Sequence, residues 1–140
     1  MTDAPVIWHN SACGTSRNTL AMLRQLGHAP RVVEYLRTPP PRAEVADAAR
    51  RAGLTLRQLL REKGTPFTEL GLADPGLGDE ALLDAIGTHP ILINRPMVFT
   101  ALGVRLCRPS EVVLEILPPP PSGIVLLKED GERVAVPRRG

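Results

Sequence analysis

The chain has 140 residues, of which 43% are hydrophobic and 23% charged, with a formal net charge of +2. That length makes one domain with a sizeable core; no apolar run nears the roughly 18 residues of a membrane span, and so mild a charge argues against a general nucleic-acid binder. Two cysteines, Cys13 and Cys107, give no disulfide framework and point to a reducing, cytoplasmic setting, and Met1 to Ala4 lacks the basic head and apolar stretch of a signal peptide.

Pro5 to Trp8 reads as a short buried strand. Ser16 to Leu26 carries Leu20, Leu23 and Leu26 at helical spacing, with Gly27 as the stop. Arg31 to Tyr35 is a second β-rich run, so the chain opens as a parallel βαβ unit. After Thr38-Pro39-Pro40-Pro41, a helix presents Val45, Ala48, Ala49 and Ala52 on one face and closes at Gly53. Thr55-Leu56-Arg57-Gln58 is a capping box; the helix it opens turns Leu56, Leu59 and Leu60 inward and ends at Gly64. Thr68 to Leu72 reads as a helical turn, Asp74-Pro75-Gly76 as a tight turn, and Asp79 to Ile86 as a short helix stopped by Gly87. Met97–Thr100 and Val104–Cys107 flank Ala101-Leu102-Gly103 as a β-hairpin. Pro109-Ser110-Glu111 starts a last core helix, with Val112, Val113, Ile116 and Leu117 apolar. The run Pro118 to Pro121 reads as a stiff linker, and Ile124–Leu127 and Arg133–Val136 around Asp130-Gly131 suggest a hairpin in the tail.

The order βαβ, helical insertion, β-hairpin, helix is the layout of an α/β thioredoxin-like domain with a mixed central sheet. It spans residues 1–117, and residues 118–140 form the proline-rich linker and tail. Such a layout places the segment His9-Asn10-Ser11-Ala12-Cys13-Gly14-Thr15-Ser16-Arg17-Asn18 at the carboxyl end of a central strand, where open α/β sheets carry their sites. Arg95-Pro96, just before the third strand, sits where that fold commonly carries a cis proline facing the active cysteine.

Cys13 is the candidate nucleophile. Gly14 lets the backbone fold tightly, Thr15 and Ser16 are good N-caps, and the free N–H groups of a first helical turn favour a thiolate. An ordinary thiol with a pKa near ~8.5 is only about 3% ionised at pH ~7, and each tenfold gain needs about 1.4 kcal/mol. A helix terminus contributes ~0.3–1 and at most about 2 kcal/mol, so a further positive charge is required. His9, four residues before Cys13, is the local candidate; the plainer alternative is a strand-end histidine bonded to backbone. Arg17 reads as solvent-facing. With 15 arginines against two lysines, a single arginine carries little weight unless its context is special. Arg95 and Arg108 qualify, because each immediately precedes a proline at an element junction that this layout brings toward the thiol loop. Two guanidinium forks with the backbone N–H groups of Gly14 and Thr15 would make a site for a tetrahedral oxyanion. Arg61 is a third candidate fork, or else a surface residue.

Familiar alternatives fail on spacing. A phosphatase loop needs arginine six residues after the cysteine, where Thr19 stands; a dithiol motif needs cysteine three residues on, where Ser16 stands. No glycine-rich phosphate loop and no metal-ligand spacing is present. Cys107 reads as a buried strand residue rather than a resolving thiol.

With its His9-Asn10-Ser11-Ala12-Cys13-Gly14-Thr15-Ser16-Arg17-Asn18-Thr19-Leu20, Tyr35-Leu36-Arg37-Thr38-Pro39-Pro40, Pro90-Ile91-Leu92-Ile93-Asn94-Arg95-Pro96 and Arg105-Leu106-Cys107-Arg108-Pro109-Ser110-Glu111 stretches, the chain closely resembles the glutaredoxin-linked arsenate reductases of bacteria from about Val6 to Leu117. The resemblance implies a thioredoxin-like fold and one catalytic cysteine, Cys13, with His9 beside it and Arg61, Arg95 and Arg108 binding arsenate. Ser11 departs from the family, in which proline is frequent at that place, and the tail after Leu117 matches poorly. The resemblance further implies that Cys13 forms an adduct with arsenic, that glutathione attacks the adduct and arsenic is reduced, and that glutaredoxin removes glutathione from the mixed disulfide. Glutathione is then a co-substrate and no cofactor is bound; arsenate, glutathione and glutaredoxin are the partners, with no nucleic acid or membrane. The competing readings are a general glutathione-dependent thiol transferase, which has little use for convergent arginines, and a thiol-based transcriptional regulator binding RNA polymerase, against which the lack of a second cysteine at position 16 argues.

Overall fold

A computed structural model describes residues 4–120 and 122–137. Residues 1–3, on which the reading of an absent leader rests, lie outside the described residues, as do Pro121 of the proline run and residues 138–140 of the tail. The chain forms two compact units, Met1–Val33 with Arg95–Gly140, and Glu34–Asn94.

The first unit contains β1 (Val6–Trp8), α1 (Gly14–Gln25) and β2 (Arg31–Val33) from the start of the chain. After the second unit, the chain returns to it with β3 (Met97–Thr100), β4 (Gly103–Leu106) and a 3-10 helix over Ser110–Ile116, followed by β5 (Ile124–Leu127) and β6 (Arg133–Val136). The central sheet has the order β2-β1-β3-β4: β1 and β2 are parallel, while β3 is antiparallel to both β1 and β4. This is the mixed sheet of the thioredoxin-like layout, with α1 as the crossover. Register puts Ile7 opposite Val32 and Val98, burying Ile7 and Val98 completely. Leu20, Met22 and Leu23 of α1 pack into the same cluster with Cys107, Val113, Ile116 and Leu117. Arg95-Pro96 and Arg108-Pro109 are both cis.

The tail belongs to this unit. β5 (Ile124–Leu127) and β6 (Arg133–Val136) pair as an antiparallel hairpin, and Leu126 and Val136 join the core cluster. Gln25 of α1 holds β5 by two hydrogen bonds, donating to Leu127 O at 2.9 Å and accepting from Leu127 N at 2.8 Å.

The second unit is the helical insertion, with α2 (Arg42–Arg51), α3 (Leu56–Leu59) and α4 (Asp79–Thr88). The Thr55 capping box is present in both directions: Gln58 N donates to Thr55 Oγ1 at 3.1 Å, and Thr55 N donates to Gln58 Oε1 at 2.9 Å. Val45, Ala48 and Ala49 of α2, Leu56 and Leu59 of α3, and Leu82, Leu83 and Ile86 of α4 are buried. Arg57 reaches across the segment after α3 to donate to the carbonyls of Leu72, Asp74 and Leu77, which fixes a stretch without regular structure.

Several elements differ from the sequence reading. The helix opened by the Thr55 capping box ends at Leu59, not Gly64, because Leu60 turns extended and bridges Ile93, and β2 stops at Val33 short of Tyr35. Gly87 does not stop α4, which runs on to Thr88, where the hydroxyl bonds Asp84 O at 3.2 Å and Pro90 opens a separate 3-10 turn. The last core helix is 3-10 rather than α, with Val112 N donating to Pro109 O at 3.1 Å and Leu117 N to Leu114 O at 3.4 Å. The α1 helix begins at Gly14, earlier than its apolar spacing shows. Among the described residues, no helix is long and apolar enough to cross a membrane.

Candidate active site

The first unit carries the thiol. β1 ends at Trp8, and His9 N extends its pairing by donating to Val33 O at 2.9 Å before the chain leaves the sheet. The following loop is closed by its own asparagine. Asn10 Oδ1 accepts from Ala12 N at 2.9 Å, while Asn10 O accepts from Cys13 N at 3.0 Å. An Asn side chain folding back on the backbone two residues later is a standard way of setting a tight turn.

The turn delivers Cys13 as the N-cap residue of α1, with φ −99° and ψ 121°. The first-turn N–H groups need a partner from outside the helix, and those of Thr15 and Ser16 face the Cys13 sulfur. Thr15 and Ser16, which the sequence reading offers as N-caps, lie inside the first turn; Thr15 O accepts from Thr19 Oγ1 at 2.8 Å. Ser16 is fully buried. Its Oγ accepts from Asn10 N at 3.1 Å and lies 2.6 Å from His9 Nδ1, the donor there depending on the ring tautomer.

The cation at the sulfur is Arg108, whose Nη1 lies 3.6 Å from Cys13 Sγ and donates to Arg95 O at 3.0 Å. Burial pushes the Cys13 thiol up, but the Ser16 N–H, the Arg108 hydrogen bond, the Thr15 N–H and the Arg108 charge outweigh it and hold the pKa below its ordinary value. A half-buried sulfur with an acidified thiol is the state in which cysteine is nucleophilic. Cys107 is the opposite case. It is fully buried, and burial pushes its thiol up to about 12. It is buried as the sequence reading has it, but it lies just past β4, which ends at Leu106 rather than Cys107.

The structure thus brings the N–H groups of Thr15 and Ser16 and the Arg108 guanidinium to Cys13, with the Arg95 carbonyl fixing that guanidinium. Arg95 itself is buried, 8% exposed. His9 reaches the thiol environment through Ser16, a partner that sequence reasoning did not assign to it. Arg61 belongs to the second unit; its N–H donates to Leu92 O at 2.8 Å, and its Nε donates to Lys63 O at 3.2 Å. Arg17 is not simply solvent-facing, because its guanidinium binds both Ser11 O and the tail residue Glu129. No spacing rule would have found Glu129, which lies 112 positions from Arg17.

The chain is similar to known proteins along most of its length. The sequence model of the ArsC family matches residues 8–116. An arsenate reductase of Rhizobium meliloti is 65% identical over 128 residues, covering 91% of each chain. The arsenate reductase of Escherichia coli K12 is 55% identical over 128 residues, covering 91% of this chain and 90% of that one. Among solved structures, an arsenate reductase from Vibrio cholerae superposes with a TM-score of 0.79 at 42% identity, over 84% of this chain and all of its own.

Proposed function

We propose that this chain, which belongs to the ArsC family, is an arsenate reductase in which Cys13 is the only reacting thiol of the protein. The observation that carries the reading is the Cys13 sulfur, held at the start of α1 with the Arg108 guanidinium 3.6 Å away. Arsenate at neutral pH is an anion, and a thiolate would repel it. A cation beside the sulfur both favours the thiolate and offsets the charge of the incoming oxyanion. Arg95, whose carbonyl holds Arg108, and Arg61 enter the proposal as oxyanion-binding side chains through family resemblance.

The reaction then follows from a single thiol. The Cys13 thiolate attacks arsenic, and one oxygen leaves as water after protonation, so As(V) is held as a sulfur–arsenic adduct. The backbone N–H groups of Thr15 and Ser16, which lower the Cys13 pKa, lie beside the developing charge. A glutathione thiolate next attacks the Cys13 sulfur. The sulfur–arsenic electron pair stays on arsenic, which leaves as arsenite, and the two sulfurs become a mixed disulfide. Two thiols have then supplied the two electrons. Ser16 stands where a resolving cysteine would be, and Cys107 is buried with its thiol protonated. Regeneration therefore calls for an external thiol, the role of glutaredoxin in this proposal. A cytoplasmic setting supplies these reductants.

The test is NADPH consumption coupled through glutathione reductase, with glutathione, glutaredoxin and arsenate. Wild type should turn over only with all components present, and Cys13→Ser should be inactive. Turnover without arsenate would favour a general thiol transferase instead.

A further inference from the structure

The thiol loop is tied to the tail hairpin of β5 and β6. Arg17, on the first turn of α1, donates from Nε and Nη2 to the two carboxylate oxygens of Glu129, both at 2.9 Å. Its remaining Nη1 donates to Ser11 O at 2.8 Å, within the loop that leads to Cys13. Glu129 N in turn donates to Asn18 Oδ1 at 2.9 Å, so the hairpin turn is fixed on α1 by backbone as well as side chain. A Cβ on Gly14 would stand 3.2 Å from Glu129 Oε1 and 3.6 Å from Arg17 Nη2, so the pair lies directly against the residue after the nucleophile. The Cys13 charge is itself felt by Arg17. Lys128, next to Glu129, bonds Glu111 at 2.7 Å at the start of the 3-10 helix that follows Arg108. The hairpin thus bonds both α1 and the 3-10 helix that follows Arg108.

We infer that Glu129 is a positioning residue for the reaction, holding the Arg17 guanidinium so that it fixes the Ser11 carbonyl and with it the loop presenting Cys13. A guanidinium has five N–H donors in a fixed plane, so a carboxylate on one edge orients the donors on the others. Arg17 and Glu129 are about half exposed, and an exposed ion pair contributes little to stability. Its consequence is geometric: the reacting atom must be held closely, and a misplacement of about 1 Å costs up to ~100-fold in rate. The inference rests on the reductase reading for its kinetic consequence, but not for its structural one.

The experiment is a double-mutant cycle with Glu129→Ala, Arg17→Ala and the double variant, all in the full chain, with Glu129→Gln as a milder substitution. Two measurements are made on each protein. Amide hydrogen exchange of Ala12 and Cys13 should quicken roughly tenfold in Glu129→Ala, with the melting temperature close to wild type. In the arsenate assay, kcat should fall about tenfold while KM for arsenate does not rise. Glu129→Ala should add no further effect in the Arg17→Ala background, and Glu129→Gln should fall between wild type and alanine. Additive effects, unchanged loop exchange, or a loss confined to KM would each overturn the inference. An inactive wild type would instead sink the reductase reading, and loop exchange alone would then decide whether Glu129 holds the loop.

Discussion

Replacing Arg108 by alanine removes the cation 3.6 Å from the Cys13 sulfur and its hydrogen bond together. Two unit charges at that separation interact by about 1 kcal/mol in bulk water and about 4–5 kcal/mol at an effective dielectric of ~20. Cys13 is half-buried, so the loss lies between these limits, at about 2 kcal/mol. Since about 1.4 kcal/mol is a factor of ten in an ionisation constant, thiolate below the wild-type transition should fall at least ~10-fold. Iodoacetamide alkylation followed across pH measures this directly, because the thiolate is the species that reacts. Cys107 does not contaminate the signal, being fully buried with its thiol pushed up to about 12. The Arg108→Ala profile should shift to higher pH, with the limiting rate at high pH retained. Superimposed profiles for wild type and variant would refute the role given to this arginine.

Other substitutions test other parts of the account. In His9→Ala the Cys13 thiol should titrate higher, because Ser16 loses the buried partner that holds it beneath the sulfur; thiolate ultraviolet absorbance against pH shows this. Leu126→Ala truncates a fully buried side chain of the tail hairpin and should cost about 2–5 kcal/mol in urea unfolding, the loss expected of a core residue. A loss within ~0.5 kcal/mol would mean that the tail is not part of the core. Cys107 should make stability fall with pH: its native thiol titrates near 12 and its unfolded thiol near the ordinary 9.0, so between those values the native state holds the extra proton. Its contribution is about −1.4 kcal/mol per pH unit, and Cys107→Ala should remove that slope from unfolding free energies measured over this range.

Much of the site was legible because it is local. The His9–Asn18 segment joins a strand to a helix, and a polar loop with one thiol at such a junction marks Cys13 as the candidate nucleophile. The capping box at Thr55 was equally readable, since both of its hydrogen bonds lie within four residues. Helix type at Ser110–Ile116 was not. Ser110, Val113 and Ile116 are buried at a spacing of three, and over two turns a period of 3.0 and one of 3.6 select nearly the same residues. Gly87 misled because glycine lowers helix propensity without forbidding helix, and Pro90, not Gly87, ends the segment. Ser16 looked like a cap, yet it is the buried partner of His9, a pairing set by how the loop folds over the helix start. Glu129 was invisible: in a chain with 15 arginines, one exposed acidic residue in a tail turn carries no sign of which it will meet.

The most direct measurement is mass spectrometry of the protein after a single turnover with arsenate and glutathione, glutaredoxin being left out. The account predicts one glutathione in disulfide linkage on the peptide containing Cys13, appearing only when arsenate is present and released by glutaredoxin. Glutathione on Cys13 to the same extent without arsenate, or found on Cys107 instead, would contradict it.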